Sequence, residues 1–386
     1  MINYGKQSIN QDDIDSVVEI LKSDFLTQGP TVPKFEKSLA DYCGSNYAVA
    51  TNSATSALHV ACMALGLGPG DYLWTSPNTF VASSNAGLYC GAKVDFIDID
   101  KSTYVMSAAV LEKKLIEASK KNTLPKVVMP VHLCGQSADM KKIYELGKEY
   151  NFKIIEDASH AIGGKYKDRY IGSCEYSDIA VFSFHPVKII TTGEGGMAVT
   201  NDSEIFNRMQ QHRSHGITSL PNFMESRPEN EIWNYQQVSI GHNYRMTDIN
   251  AALGISQLKR INSFVKRRTE IADIYNDAFE NTDLIIPYQD PDTSSSYHLY
   301  PIRIPNKNKT LNQVNLYTKL MDNGININIH YIPVYLQPYY FNLGFRRGHC
   351  PEAENYFREA ISIPIYPDLS LSDQKKVIEL ILNIIN

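Results

Sequence analysis

The stretch that decides the fold runs from Ile179 to Thr200 and reads IAVFSFHPVKIITTGEGGMAVT. Two apolar, β-rich runs, Ile179 to Phe184 and Gly196 to Thr200, have the length of buried strands and flank a glycine-rich turn. Lys188 stands between them. A lysine fixed between core strands is partly desolvated, which lowers its pKa and leaves a nucleophilic amine suited to Schiff-base chemistry. Ser183 offers a hydroxyl to an anion, while Gly193, Gly195 and Gly196 let backbone come close to a ligand. The plainer alternative is an ordinary hairpin whose lysine snorkels to solvent. The rest of the chain has to decide between them.

Upstream, strand-like runs alternate with helical patterns. Tyr47 to Ala50, Tyr72 to Thr75, Val94 to Asp98, Lys126 to Val131 and Lys153 to Asp157 read as strands, whereas Ala108 to Ala118 and Asp139 to Tyr150 read as helices. This rhythm predicts βαβ units, an α/β fold with a largely parallel sheet covered by helices on both faces. Ligands of such sheets sit at the carboxyl ends of strands, and Asp157 closes one of them. A carboxylate there can hold a protonated ring nitrogen; a helix cap or surface acid is the plainer role for a lone Asp. Thr51 to His59 turns from strand to helix through Asn, Ser, Ala and Thr, so free N–H groups, the Ser53 and Thr55 hydroxyls and the helix dipole converge on an anion site. Simple N-capping is its alternative. Phe80, in SPNTF, can lie against a flat ring or pack in the core.

Beyond Asn201 a helix continues to about Arg213, a polar loop follows to Tyr235, and an Ala-rich helix, Ile249 to Leu258, precedes a charged one, Ser263 to Phe279. The Pro-, Asp- and Ser-rich run from Pro287 to Ser296 marks a domain boundary. After it come a strand from Tyr297 to Ile304, a helix near Leu311 to Asn323 and a terminal helix with Val377, Ile381, Ile384 and Ile385 on one face. These patterns predict a large domain over 1–250 and a smaller α+β domain over 251–386 that includes a linking helix.

Composition bounds the function. A chain of 386 residues, 43% hydrophobic and 20% charged, is ordinary for a soluble globular enzyme. A net charge of -5 and no basic run longer than Lys266 to Arg268 argue against generic nucleic-acid binding. No apolar run approaches a membrane span, and the residues from Met1 to Asn10 lack the pattern of a signal peptide, so a cytoplasmic protein is expected. The six cysteines are scattered without paired spacing, which fits reduced thiols. His212 and His215 have no cysteine partners nearby, and no metal site is expected.

Read together, NSATSAL (52–58), SPNTF (76–80), HLCGQSADM (132–140), IIEDASHA (154–161), FSFHPVKIITTGEGG (182–196), IGHNYRM (240–246) and IHYIPVY (329–335) resemble the DegT/DnrJ/EryC1/StrS nucleotide-sugar aminotransferases over nearly the whole chain. No single motif decides this; their order and spacing do. Within that family NSATSA (52–57), SFHPVK (183–188), RSHG (213–216), IGHNYR (240–245) and SSYHLYPI (295–302) look like the branch that makes the 4-amino sugar precursor of pseudaminic acid. The resemblance implies a fold-type I architecture and pyridoxal 5'-phosphate (PLP) at a dimer interface, with pyridoxamine 5'-phosphate as the alternate form. Lys188 matches the lysine that joins the cofactor, and Asp157 the acid that pairs with its pyridine nitrogen. Ala54, Thr55 and Ser183 match phosphate-binding positions, and Asn243 an asparagine reaching that phosphate from the neighbouring subunit. Phe80 takes the ring-stacking position, and His160 stands where the wider family often has Gln near the phenolic oxygen. For the sugar nucleotide the resemblance points to Tyr4, to Asp24, Phe25, Leu26 and Thr27, and to His330 and Tyr331. It adds Val334, Tyr335, Leu336 and Gln337. The implied reaction passes an amino group from L-glutamate to C4 of a UDP-4-keto sugar, within a homodimer and without membrane or nucleic acid. Rival readings are another UDP- or GDP-4-keto-6-deoxy sugar, a PLP-dependent sugar dehydratase, which Lys188 argues against where that lysine is replaced by His, and a non-enzymatic PLP-binding regulator.

Overall fold

The computed structural model describes residues 1–228, 230–232, 234–305 and 312–385. Seven strands form the central sheet: β1 (Tyr47–Thr51), β2 (Tyr72–Thr75), β3 (Lys93–Phe96), β4 (Val127–Met129), β5 (Lys153–Asp157), β6 (Ile179–Ser183) and β7 (Gly196–Thr200). Their spatial order is β1-β7-β6-β5-β4-β2-β3. The pairings from β6 through β3 are all parallel, and β7 alone runs against both of its neighbours. The stretch from Ile179 to Thr200 is therefore a true antiparallel hairpin, with Ser183 opposite Gly196, at one side of a mostly parallel sheet.

The continuous apolar spelling of β6 and β7 follows from burial on both faces. Val181 and Ala198 join one core cluster with Leu58, Trp74 and Met129. Ala180, Phe182, Met197 and Val199 turn to the other, against Phe35 and Leu39 from the helix Thr31–Cys43. Phe35, Phe182 and Phe184 are fully buried, and each burial of this kind stabilises by about 1.5–3 kcal/mol. The hairpin is thus held from both sides.

A third cluster surrounds the antiparallel pair β8 (Tyr300–Arg303) and β9 (Ala360–Ile363). Ile271, Tyr275 and Phe279 of the long helix Ile261–Phe279 pack there, with Val377 and Ile381 of the terminal helix Leu371–Ile385. Ile2 belongs to it as well, tied by the bond from Ile2 N–H to Gly324 O at 2.8 Å. Conversely, Val334, Tyr335, Leu336, Tyr340 and Tyr356 return to the first cluster and pack against the large sheet. β8 is shorter than the expected run from Tyr297 to Ile304 because the residues before it are engaged elsewhere: His298 N–H donates to Cys134 O at 2.9 Å. Leu311, at the start of an expected helix, lies outside the described residues; the helix itself spans Gln313–Asp322, capped by Asn312. Among the described residues no helix is long and apolar enough to cross a membrane.

Candidate active site

A cleft of about 910 Å³ opens at the carboxyl ends of the parallel strands, as the topology requires. Asp157 at the end of β5, Ser183 at the end of β6, and Thr79 and Phe80 after β2 line its floor. Asp157 is buried and held by two hydroxyls, Oδ2 accepting from Ser83 Oγ and Oδ1 from Ser159 Oγ, each at 2.6 Å. Hydrogen bonds to an ionised group contribute about 1.5–3 kcal/mol each, so the carboxylate is fixed in place. Lone pairs on both oxygens remain for a further donor.

Lys188 enters the cleft from the turn between β6 and β7. Its N–H donates to His185 O at 2.9 Å, and the loop closes through Thr192 N–H to Phe184 O at 3.0 Å and Thr191 Oγ1 to Phe184 O at 3.0 Å. Gly193, at φ +80°, completes that turn in the left-handed region. Burial pulls the Lys188 amine down to about 8, partly offset by the Asp157 carboxylate. An amine so placed is a reactive nucleophile and a proton acceptor near neutral pH.

The helix Ala54–Ala64 points its N-terminus at the same space, with Ala54 and Thr55 on the cleft wall. Ser53 is its cap, its Oγ accepting from Ser56 N–H at 3.1 Å, so that hydroxyl serves the helix. The remaining free N–H groups, the helix dipole and Ser183 make an anion cradle. A Cβ at Gly196 would lie 2.5 Å from Ala54 Cα, so glycine there lets β7 pass directly behind the cradle.

His160, His298 and His330 form part of the wall, and His185 lines the cleft as well. His160 Nδ1 accepts the Cys134 N–H at 3.3 Å, which leaves the ring proton on Nε2, 3.3 Å from Tyr331 Oη. Burial, with the Lys188 charge and the nearby His330 ring, keeps His160 well below the usual imidazole range, so it is neutral. His330, pushed down to about 3 by burial and Lys188, has Nδ1 at 2.9 Å from Ser362 Oγ and faces Tyr4, the ring centroids 5.4 Å apart. His298 also lines the cleft, its ring centroid 4.4 Å from that of His160.

The donor set fits PLP: a helix N-terminus for a phosphate, a buried carboxylate for a heterocyclic nitrogen, a desolvated lysine for a carbonyl. Fold and site together define a PLP-dependent aminotransferase of the α/β, fold-type I class. The DegT/DnrJ/EryC1/StrS aminotransferase family matches residues 7–382, and the chain belongs to it. It is 38% identical over 386 residues to the UDP-4-amino-4,6-dideoxy-N-acetyl-beta-L-altrosamine transaminase of Campylobacter jejuni, covering 100% of this chain and 98% of the relative. Among solved structures it resembles Helicobacter pylori PseC, an aminotransferase involved in the biosynthesis of pseudoaminic acid. That likeness has a TM-score of 0.90 and 31% identity, covering 100% of this chain and 99% of PseC. A putative sugar aminotransferase of Streptococcus pneumoniae, solved in PMP and PLP forms, matches in its PMP form with a TM-score of 0.89, 29% identity and coverage of 100% and 99%. This protein is a PLP-dependent sugar aminotransferase.

Of the residues singled out from sequence, Lys188, Asp157, Ala54, Thr55, Ser183, His160 and Phe80 converge on the cleft, joined by Tyr4, His330, Tyr331 and Gln337. Val334, Tyr335 and Leu336 do not; they are buried, and Tyr335 Oη donates to Glu354 Oε1 at 2.6 Å within the core. Asn243 and the segment Asp24 to Thr27 lie outside the cleft lining and are exposed. The segment is joined to the start of the helix Asp248–Leu258 by the bridge Thr27↔Thr247 and by Asp248 N–H to Leu26 O at 3.0 Å, whereas Asn243 pairs with Ser214. Sequence reading missed Ser83, Ser159, Asn328, Glu194 and His298. Ser159 was within reach, two residues past Asp157; His298 stands in a resembling motif but had no role attached.

Proposed function

We propose that this enzyme passes an amino group from L-glutamate to C4 of UDP-2-acetamido-2,6-dideoxy-β-L-arabino-hexos-4-ulose, giving UDP-4-amino-4,6-dideoxy-N-acetyl-β-L-altrosamine. The observation that carries the choice of sugar is the full-length likeness to the Campylobacter jejuni transaminase of that name. We further read the protein as a cytoplasmic homodimer. The exposed positions Phe25, Leu26 and Asn243, which lie outside this chain's own cleft lining, suit donation to the cleft of a second copy.

Bound PLP supplies a carbonyl for amine exchange and an electron sink for the charge left when a proton departs from carbon. The chain supplies the rest. Asp157, fixed by Ser83 and Ser159, keeps a ring nitrogen protonated. Ala54, Thr55 and Ser183 hold the phosphate, and Phe80 covers one ring face. His160, neutral with its proton on Nε2, donates to the phenolic oxygen. Lys188 Nζ would accept the proton from the α-carbon of glutamate and hand a proton on within that same half-reaction; in the second it would again take up a proton and deliver one to C4 of the sugar, acting as base and then acid in each half. Tyr4, His330, Tyr331 and Gln337 form the wall against which the sugar nucleotide is placed.

A single-turnover assay tests this reading. The protein is loaded with pyridoxamine phosphate, single UDP- or GDP-4-keto sugars are added, and return of the visible cofactor band is followed. The expected result is rapid return with the L-arabino UDP sugar and slow return with D-configured or GDP sugars. Preference for any other sugar overturns the substrate, and no return with any overturns the reaction.

A further inference from the structure

Behind the cleft the long helix Ile261–Phe279 carries Arg268, a fully buried arginine. No carboxylate forms an ion pair with it among the described residues. Its Nη1 instead donates to three carbonyl oxygens, Tyr297 at 3.1 Å, His298 at 3.2 Å and Ile365 at 2.9 Å. Burial alone pulls the guanidinium down to about 9. An unpaired buried cation is a cost that an apolar side chain of similar volume would not impose. What the arginine obtains for it is geometry.

Both segments it binds lead into the cleft. Ile365 N–H donates to Tyr4 O at 3.0 Å, so Ile365 carries the backbone of a cleft residue. On the other side His298 N–H donates to Cys134 O at 2.9 Å, and the N–H of the same Cys134 donates to His160 Nδ1 at 3.3 Å. Ser296 Oγ donates to His160 O at 2.9 Å. The approach is so close that a Cβ on Gly135, at φ +106°, would lie 2.6 Å from Ser296 Oγ and 2.9 Å from Tyr297 N. Clamped between Arg268 and this turn, the His298 ring lies against His160, its Nδ1 buried and without a hydrogen-bond partner among the described residues.

We propose that Arg268 is a positioning residue of the active site: by binding the carbonyls of Tyr297, His298 and Ile365 it sets the His298 ring against His160 and thereby orients the cofactor-facing imidazole. The inference rests on the reading of the cleft as the PLP site. Arg268 touches neither cofactor nor substrate and acts through His298.

The test is a double-mutant cycle on the holoenzyme with Arg268→Met, His298→Asn and both together, plus Arg268→Lys. Two readouts are taken: the pH titration of the visible cofactor band, and kcat and KM separately. The expected result is that each single variant displaces the midpoint of the band and lowers kcat by about tenfold to a hundredfold, the scale of a small misplacement in a site. In band midpoint and kcat the double variant then matches His298→Asn alone, because the arginine has no ring left to set against His160, while its hold on Ile365 and so on Tyr4 shows separately in KM; Arg268→Lys recovers most of both readouts. Additive effects in the double variant overturn the proposal. So does an Arg268→Met protein that melts earlier yet keeps the wild-type titration and kcat. Where Arg268→Met does not fold, His298→Asn with unchanged titration and kcat overturns it. A wild-type protein with no visible band counts against the cofactor reading itself, an outcome separate from these.

Discussion

Asp157 and Ser183 stand at the ends of neighbouring parallel strands, whereas Tyr4, His298 and His330 reach the same cleft from the start of the chain and from its last quarter. The first group is carried by a sheet whose strands are buried on both faces and locked by ladder bonds. The second is held by single long-range bonds, such as Ile365 N–H to Tyr4 O and His330 Nδ1 to Ser362 Oγ. A floor built this way resists displacement, which suits the groups that we propose hold the cofactor and move protons. A wall assembled from separate segments can vary its shape while the floor stays constant, which suits the part that selects a sugar.

The contrast breaks first at Lys188. Lys188→Ala is expected to fold, to lose the visible band and to lose about 10²- to 10⁴-fold or more in transamination rate, the scale of general acid–base catalysis. Absorbance spectra and turnover check it; a folded variant keeping both would place the chemistry elsewhere. Next comes Asp157→Asn, expected to keep the band while kcat falls about 10²- to 10³-fold, the size of losing one preorganised electrostatic group. A matching rise in sugar KM instead would move Asp157 from floor to wall.

The pH dependence is a milder test. The Lys188 amine lies at about 8, below the ordinary 10.5, so its reactive neutral form is gained as pH rises and saturates above about 8. The rate at which cofactor-free protein captures PLP should climb roughly tenfold per pH unit below that point and then level off. Stopped-flow absorbance measures it, and a climb continuing to pH 10 would show a lysine still exposed to water. The smallest effects sharpen the wall. Gln337→Ala is expected to raise sugar KM by about tenfold, one lost hydrogen bond to substrate, with kcat held. Tyr335→Phe, two residues earlier, is expected to leave KM alone and cost about 1–3 kcal/mol of stability, because its hydroxyl serves Glu354 and Cys350 in the core. A KM change there would return Tyr335 to the substrate side.

The parallel sheet was legible because apolar runs of strand length alternate with helical periodicity from Tyr47 to Asp157. The hairpin around Lys188 was legible for the same reason, and both of its readings held in part: it is a hairpin, yet its lysine turns inward. The segment 334–337 was harder. In IHYIPVYLQ nothing in the spelling separates a side chain facing a ligand from one facing the core, and only the return of this segment to the large sheet sends Tyr335 inward while Gln337 lines the cleft.

By itself the sequence determined the α/β architecture, the lysine between strands, the acid at a strand end and the strand-to-helix turn after Thr51, since each depends on residues close together in the chain. Tertiary structure alone decided which side chains share the cleft's far wall, that Ser83 holds Asp157 from another strand connection, and that Arg268 lies behind His298. Those relations join residues far apart in sequence, and local periodicity carries no information about contacts made only when distant segments pack.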